Sequence, residues 1–121
     1  MPAVKIIFYD KEDGTKPAKE FVYSLDEGMQ AKMLRAIDRL RDYGPDLRRP
    51  YSAPLGDKIF ELRAQFGSDI SRVLYFFIVN GCAVLTHGFI KKTQKTPPEE
   101  IKRAKRYRDE YLKRGVKHNE R

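Results

Sequence analysis

The sequence contains few of the side chains that build metal sites and disulfides. Its 121 residues include one cysteine and two histidines. One cysteine cannot form an intramolecular disulfide, and because Cys82 lies in an apolar stretch we expect a buried, reduced thiol and not a nucleophile. His87 and His118 lie far apart, with no carboxylate pattern around them. The sequence therefore lacks metal-ligand spacing, and we expect neither a bound metal nor a cofactor.

Long apolar runs and several catalytic motifs are missing as well. No run approaches the roughly eighteen apolar residues of a membrane-spanning helix, and residues 1–10 lack the separate basic and apolar regions of a signal peptide. No glycine-rich phosphate loop follows a predicted strand, and no Gly-x-Ser-x-Gly is present. We expect one cytoplasmic domain over residues 1–121 without internal repeats, with a frayed tail after about residue 115.

Positive charge is in excess and is concentrated at one end of the chain. Residues 91–121 contain twelve Lys and Arg against five Asp and Glu, whereas residues 1–90 contain thirteen against twelve. Most of the net charge of +8 therefore follows the last predicted strand. Such asymmetry is typical of a protein with a polyanionic partner, either nucleic acid or an acidic protein, although a solvated basic helix has the same composition.

Three segments in the middle of the chain predict the central strands of an antiparallel sheet. Residues 58–64 alternate in polarity, which is the pattern of a strand with one buried face. A glycine-containing turn at residues 65–71 leads to a second strand over residues 72–79, which is apolar on both faces. Asn80 and Gly81 predict a hairpin turn, after which residues 82–90 form the third strand.

Cationic residues occupy the ends of these predicted strands. Arg72 begins the second strand, Lys91 and Lys92 follow the third, and Arg63 lies on the first. In an antiparallel meander the start of one strand lies beside the end of the next, so we expect these four cations in one neighbourhood. This placement also predicts that Arg72 lies at a strand end and outside the core.

The first part of the chain predicts one strand and two helices. Residues 4–9 are β-branched and aromatic, as in a strand. A first helix begins near Pro17, and Asp26 is a candidate cap of a second helix, which residues 44–45 end. We expect the two helices to form an antiparallel hairpin that packs on the sheet through apolar stripes, and residues 46–54 to be a linker.

A closing helix follows the predicted sheet. Thr96 and Glu99 have the spacing of a capping box, with Thr96 as the cap, and Gly115 is expected to end the helix. The side that packs against the sheet is predicted to carry Ile101, Ala104, Arg108, Tyr111 and Leu112. The expected fold is therefore α+β, with the element order β-α-α-β-β-β-α.

A cationic cluster on a sheet is suited to chemistry at phosphate. Guanidinium groups bind phosphate bidentately, and a lysine crowded by other cations has its pKa lowered toward that of a useful base. RNA supplies its own nucleophile, the 2′-hydroxyl, so an enzyme that cleaves it must accept that proton and stabilise charge on the phosphate. Phosphate-binding proteins without chemistry share these features. His87 is a candidate acid or base, although a hydrogen-bonded sheet histidine is the simpler interpretation.

Several motifs resemble those of a toxin family. These are Leu55-Gly, Phe60-Glu-Leu-Arg63, Ser71-Arg-Val-Leu-Tyr75, His87-Gly-Phe-Ile-Lys-Lys-Thr-Gln-Lys-Thr-Pro97 and Glu100-Ile-Lys-Arg-Ala104. They are similar to the phage-derived, HigB-like branch of the RelE/ParE toxin superfamily, and the element order is similar over residues 4–108. The resemblance implies a RelE/ParE-like fold and a type II toxin that is neutralised by a co-transcribed antitoxin, expected to be a small helix-turn-helix protein.

The resemblance also implies an activity. RelE members cut mRNA in the ribosomal A site, so the chain is expected to be a ribosome-dependent mRNA endonuclease that inhibits translation, with the ribosome and mRNA as partners. Arg72 matches the arginine that engages the scissile phosphate, Lys91 and Lys92 match the basic pair after the last strand, and Arg63 matches a basic position on the neighbouring strand. Because no carboxylate cluster accompanies these cations, we expect metal-independent attack by the 2′-hydroxyl.

Further residues have less specific roles. RelE has lysines where this chain has Ile59 and Glu61, so Glu61 is a candidate general base, with pairing to Arg63 or Arg72 as the alternative. Additional RNA affinity, independent of sequence, is expected from Lys58, Lys95, Lys102, Arg103 and Arg106. Two other functions remain open at this stage: a ParE-like protein that poisons gyrase without cleaving RNA, and a non-catalytic RNA-binding module.

Overall fold

The computed structural model of the chain describes residues 3–79, 81–91 and 95–119, with side chains as far as residue 114. The fold is mixed α+β, as predicted. Its elements are β1 (Lys5–Phe8), α1 (Pro17–Ser24), α2 (Glu27–Tyr43), a 3-10 turn (Gly44–Asp46), β2 (Ser52–Gly56), β3 (Ile59–Phe66), β4 (Asp69–Ile78), β5 (Cys82–Lys91) and α3 (Pro98–Asn119). No helix in the described part of the chain is long and apolar enough to span a membrane.

The five strands form one sheet in the order β1-β5-β4-β3-β2. β1 is parallel to β5, and the other neighbours are antiparallel, which confirms the predicted meander. The turn between β3 and β4 is shorter than predicted, because Phe66 already pairs with Asp69. Arg72 is therefore the fourth residue of a ten-residue strand and not its first. Asn80 of the predicted hairpin turn lies outside the described residues, while Gly81 has a φ of +74°.

The linker predicted for residues 46–54 is wrong over its last three residues. Ser52–Gly56 forms β2, which pairs antiparallel with β3, so the element order has one more strand than predicted. Pro50 precedes this strand and Pro54 lies within it, so the local composition does not resemble that of a strand. Proline is tolerated on an edge strand, where one row of backbone groups needs no ladder partner, and β2 is the edge of this sheet.

One face of the sheet packs against α1 and α2, and we call it the helical-pair face. Its core consists of apolar side chains, with Val22, Met33 and Leu40 from the helices against Val73 and Leu85 from the sheet. A side chain at Gly88 of β5 would overlap the ring of Phe21, so the sequence uses glycine where α1 approaches the sheet. The predicted packing of both helices on the sheet is confirmed.

The opposite face packs against α3, and we call it the α3 face. Ala104 is fully buried there with Leu74, Phe76 and Val84, and Tyr107 stacks on Tyr9 with 4.6 Å between ring centroids.

Three predictions about α3 are wrong. Thr96 does not cap the helix, since its hydroxyl donates to Glu61 and the helix begins two residues later at Pro98. The α conformation is disfavoured for a residue that precedes proline, which keeps Pro97 outside the helix. The helix continues past Gly115 to Asn119, and Leu112 is exposed.

Candidate functional site

Strand register brings three charged side chains together on the α3 face. Glu61 of β3 is paired with Leu74, whose side chain belongs to the α3-face core, so Glu61 faces α3. Arg63 lies two residues further along β3 and therefore on the same face. Arg72 is directly opposite Arg63 on β4. We call Glu61, Arg63 and Arg72 the charged triad.

The carboxylate of Glu61 bridges the two guanidinium groups. Its Oε2 accepts a hydrogen bond from Arg63 Nε at 2.6 Å, and its Oε1 lies 3.5 Å from Arg72 Nε. The Thr96 hydroxyl also donates to Oε1. Pairing of Glu61 with both arginines, the alternative that the sequence left open, is thus confirmed.

The triad is more deeply buried than predicted. Arg72 has no exposed surface and the Glu61 side chain is 1% exposed, whereas the Arg63 side chain is 21% exposed. The prediction that Arg72 lies outside the core is therefore wrong, because the short turn before β4 moves Arg72 into the middle of the sheet. Burial lowers the pKa of Arg72, the charge of Arg63 lowers it further, and the charge of Glu61 opposes both.

A cleft opens beside the triad. It has a volume of about 370 Å³, and the charged residues that line it are Arg49, Glu61, Arg63 and Lys95. The cleft therefore has three cations around one carboxylate, an arrangement that attracts an anion such as phosphate. From the sequence, Arg49 in an exposed loop could contact phosphate, with surface charge as the safer interpretation, and Thr96 has only a predicted capping role. Both become adjacent to the triad through the packing of β2 and of the segment before α3, which the sequence pattern did not reveal.

The predicted pair of lysines after the third strand can be placed in part. Lys91 is the last residue of β5 and is exposed; its register partner is Ile70, while the partner of Arg72 is Phe89. Lys91 is therefore a diagonal neighbour of Arg72, at a typical spacing of about 7–8 Å. Lys92 lies outside the described residues.

His87 connects β5 to the start of α3. Its Nε2 lies 3.0 Å from Glu100 Oε1, and its Nδ1 lies 3.0 Å from the Thr86 hydroxyl. The ring is also packed edge-on against Tyr107. Burial lowers the pKa of His87, the hydrogen bond that it donates to Glu100 and the charge of that carboxylate oppose this, and the charges of Arg103 and Arg106 lower the pKa further. With the ring neutral, Nε2–H donates to Glu100, and the single proton of the Thr86 hydroxyl is shared between His87 Nδ1 and the carbonyl of Leu74, which lies 3.1 Å from that hydroxyl.

Of the five residues predicted to add RNA affinity, the cleft includes only Lys95. Lys58 lies in the turn between β2 and β3, where its φ is +63°. The remaining three cations are exposed on α3 and point away from the sheet: Lys102, Arg103 and Arg106. Two neighbouring cations of α3 are instead held by Asp57, with Lys105 Nζ at 3.2 Å and Arg108 Nη2 at 3.6 Å from its Oδ2.

The described residues offer little to a metal ion. No group of three or more His, Cys, Asp and Glu within residues 3–79, 81–91 and 95–119 is arranged to hold one. Cys82, the single thiol, is buried at the start of β5, as predicted.

Comparison with known families gives one match. The family model described as "Phage derived protein Gp49-like (DUF891)" matches residues 20–109, a range that includes the whole triad and the cleft. This family is associated with RelE- and HigB-type toxins. A comparison with curated proteins gives no match.

Proposed function

Because the chain belongs to the Gp49-like family, which is linked to toxins of toxin–antitoxin pairs, we propose that it is such a toxin and cleaves mRNA on the ribosome. In this proposal it is a HigB-like member of the RelE/ParE superfamily that acts in the cytoplasm and is neutralised by a small helix-turn-helix antitoxin. The observation that carries the nuclease activity is the charged triad, a buried carboxylate between two guanidinium groups beside a cationic cleft.

The cleft would hold the scissile phosphate. Arg63 and Arg49 are its two exposed or partly exposed guanidinium groups, and each can bind phosphate oxygens in a bidentate manner. Lys95 lines the same cleft, and Lys91 adds positive charge from the end of β5. Together these cations would stabilise the negative charge that develops on the phosphate when the 2′-hydroxyl attacks. The P–O5′ bond then breaks, which leaves a 2′,3′-cyclic phosphate, and the departing 5′-oxygen would take a proton from Lys91 or from water.

The two buried members of the triad would have different roles. Glu61 is the one carboxylate among the described residues that line the cleft. We therefore propose that it acts as the general base and accepts the proton of the attacking 2′-hydroxyl. To accept this proton, Glu61 must release the hydroxyl of Thr96. Arg72 is fully buried, so it would act on the phosphate through its charge and through its ion pair with Glu61.

Expression of the chain alone tests the biological half of the proposal. We expect growth arrest, relieved when the product of the adjacent reading frame is expressed with it. Normal growth with verified soluble protein would contradict a toxin. Arrest with a DNA-damage response and intact messages would indicate a gyrase poison instead.

The chemical half requires programmed ribosomes with a defined message. We expect cutting of an all-ribose message and loss of that cut when a single 2′-deoxy nucleotide precedes the cut site. Ribosomes need magnesium for their own integrity, so chelation cannot replace this substitution. Undiminished cutting at the deoxy position would exclude the 2′-hydroxyl as nucleophile and would indicate an activated water molecule. Binding of the message without any cutting would indicate that the chain is a non-catalytic RNA-binding module.

A further inference from the structure

A second cationic depression lies between α2 and the edge of the sheet, and we call it the α2 groove. It has a volume of about 490 Å³. The charged and aromatic residues that line it are Lys32, Arg35, Arg39, Tyr51 and Arg63. None of the described residues that line the groove is a carboxylate. Four cationic residues thus line a space of this size, three of them on α2, and such a lining is suited to a polyanion and not to a neutral ligand.

The cations of α2 are arranged along one side of the helix. Lys32, Arg35 and Arg39 are three and then four residues apart, so their side chains lie above one another on the same side. They cover about 10 Å of helix axis, because each residue adds about 1.5 Å. Within the described part of the chain, no ion pair joins Lys32 or Arg35 to a carboxylate. Their charge is therefore available to a ligand.

An aromatic ring lies at the same groove. The guanidinium carbon of Arg39 is 4.2 Å from the centroid of the Tyr51 ring, a cation–π contact that holds the ring on one side. Tyr51 is 37% exposed, so part of the ring remains accessible. Aromatic rings next to a cationic track are the usual platform on which unpaired bases stack.

Arg63 joins the α2 groove to the cleft of the charged triad. β2 is paired with β3 only as far as Leu62, and the Arg63 amide donates to the carbonyl of Tyr51 at 2.9 Å. Arg63 therefore lies where β2 begins and the edge of β3 is left uncovered. Arg63 is among the residues that line both depressions, so a strand bound in the cleft can continue around this edge into the groove.

We propose that the α2 groove binds the backbone of a single-stranded RNA segment adjacent to the phosphate in the cleft, with one base on Tyr51. Apart from Arg63, the charged and aromatic residues of the groove are separate from those that carry out the chemistry, and the inference rests on the proposed function only for the identity of the strand as mRNA. An acidic protein segment would need only the positive charge of the groove. The continuity with the cleft at Arg63 and the accessible ring of Tyr51 therefore favour a nucleic acid.

The test is direct binding of a 2′-O-methyl oligouridylate of about twelve nucleotides, which the protein cannot cut through a 2′-hydroxyl. Binding is measured by fluorescence anisotropy at several salt concentrations. The variant is K32Q/R35Q, which leaves Arg39, Tyr51 and Arg63 in place. The matched control is K16Q/K19Q at the start of α1, where both lysines are exposed and the same charge is removed.

We expect K32Q/R35Q to weaken binding about tenfold and to reduce the slope of log K against log salt by about 1.4, or about 0.7 for each lost phosphate contact. The control variant should retain both values to within about twofold, because its lysines lie outside the groove. Tyr51→Leu should weaken binding about tenfold without changing the salt slope, since stacking releases no counterions. Circular dichroism melting confirms that each variant is folded.

Three results would overturn the proposal. The first is no measurable binding by the unchanged chain at low salt, and the second is equal loss in K32Q/R35Q and in the control. The third is unchanged oligouridylate binding with lost binding of a polyglutamate peptide, which would assign the groove to an acidic protein. If the chain cuts no message on ribosomes but the variants show the expected losses of binding, the proposed nuclease function is wrong, while the assignment of the α2 groove as an RNA-binding site is supported.

Discussion

The two faces of the sheet are built from the same strands but bury different kinds of side chain. Under α1 and α2 the core consists mainly of apolar side chains such as Met33, Leu40 and Val73, and its buried polar groups, among them the hydroxyls of Ser71 and Tyr75, are uncharged. Under α3 the apolar residues surround Glu61, Arg72 and His87, which are all buried. Alternating residues of β3 and β4 contribute to one face or the other, so the sequence specifies both at once.

Under the proposed function, the helical-pair face provides stability and the α3 face carries the chemistry. Burial of an ion pair costs desolvation free energy that its attraction often does no more than offset, so the α3 face gains little stability from its charges. Apolar side chains of similar volume in place of these buried charged ones would pack as well or better. Charges retained in such a place are typical of functional sites, where a low local dielectric strengthens their effect on a bound anion.

The largest expected effect is the removal of the bridging carboxylate on the α3 face. Glu61→Ala takes away the negative charge next to buried Arg72, and we expect the free energy of unfolding to fall by about 3 kcal/mol or more. Glu61→Gln is the matched variant, since it keeps the shape and one acceptor oxygen. Urea denaturation gives both values. A loss below about 1 kcal/mol for Glu61→Ala would show that the carboxylate does not stabilise the buried arginine.

A substitution that creates a cavity on the helical-pair face tests the comparison from the other side of the sheet. Met33 is fully buried there, and Met33→Ala should lower the free energy of unfolding by about 2–3 kcal/mol. At a temperature where the variant remains folded, its rate of message cleavage should equal that of the unchanged chain, since the site is on the other face. A large loss of cleavage in the folded variant would contradict the separation of roles.

A smaller effect is expected from pH through His87. Its pKa is lowered in the folded state, so the unfolded chain binds more protons wherever the two states differ. The contribution to stability is therefore complete above the unfolded pKa of about 6.5 and is lost as the pH falls below it. One group gives a slope of at most about 1.4 kcal/mol per pH unit. His87→Gln should flatten this part of the profile in urea denaturation, and an unchanged slope would refute the assignment to His87.

The sequence alone was sufficient to predict the elements in which apolar residues recur with strong periodicity. The apolar stripes of α1 and α2 and the alternation of β3 predicted their packing, and the same alternation put Glu61 and Arg63 on one face. β2 was missed because prolines usually interrupt strands, and the exception depends on an edge position that only the assembled sheet defines.

The site was predicted less completely than the fold, for a physical reason. Phe66 and Asp69 close a turn of two residues where the composition also allowed a longer one, and this difference moves Arg72 from a strand end into the core. Arg49, Thr96 and the α2 groove depend on contacts between segments that are distant in sequence. Local patterns carry no signal for such contacts.

The central claim is that the α3 face carries the chemistry, and Arg63 tests it most directly because its side chain is partly exposed and can be changed with little effect on the core. The measurement is the single-turnover rate of message cleavage by Arg63→Gln at saturating programmed ribosomes, which removes any effect on binding. The control is Arg41→Gln, an exposed arginine of α2 paired with Asp38. We predict a rate about 10²–10³-fold lower for Arg63→Gln and an unchanged rate for the control. Cleavage by folded Arg63→Gln at the rate of the unchanged chain would contradict the account.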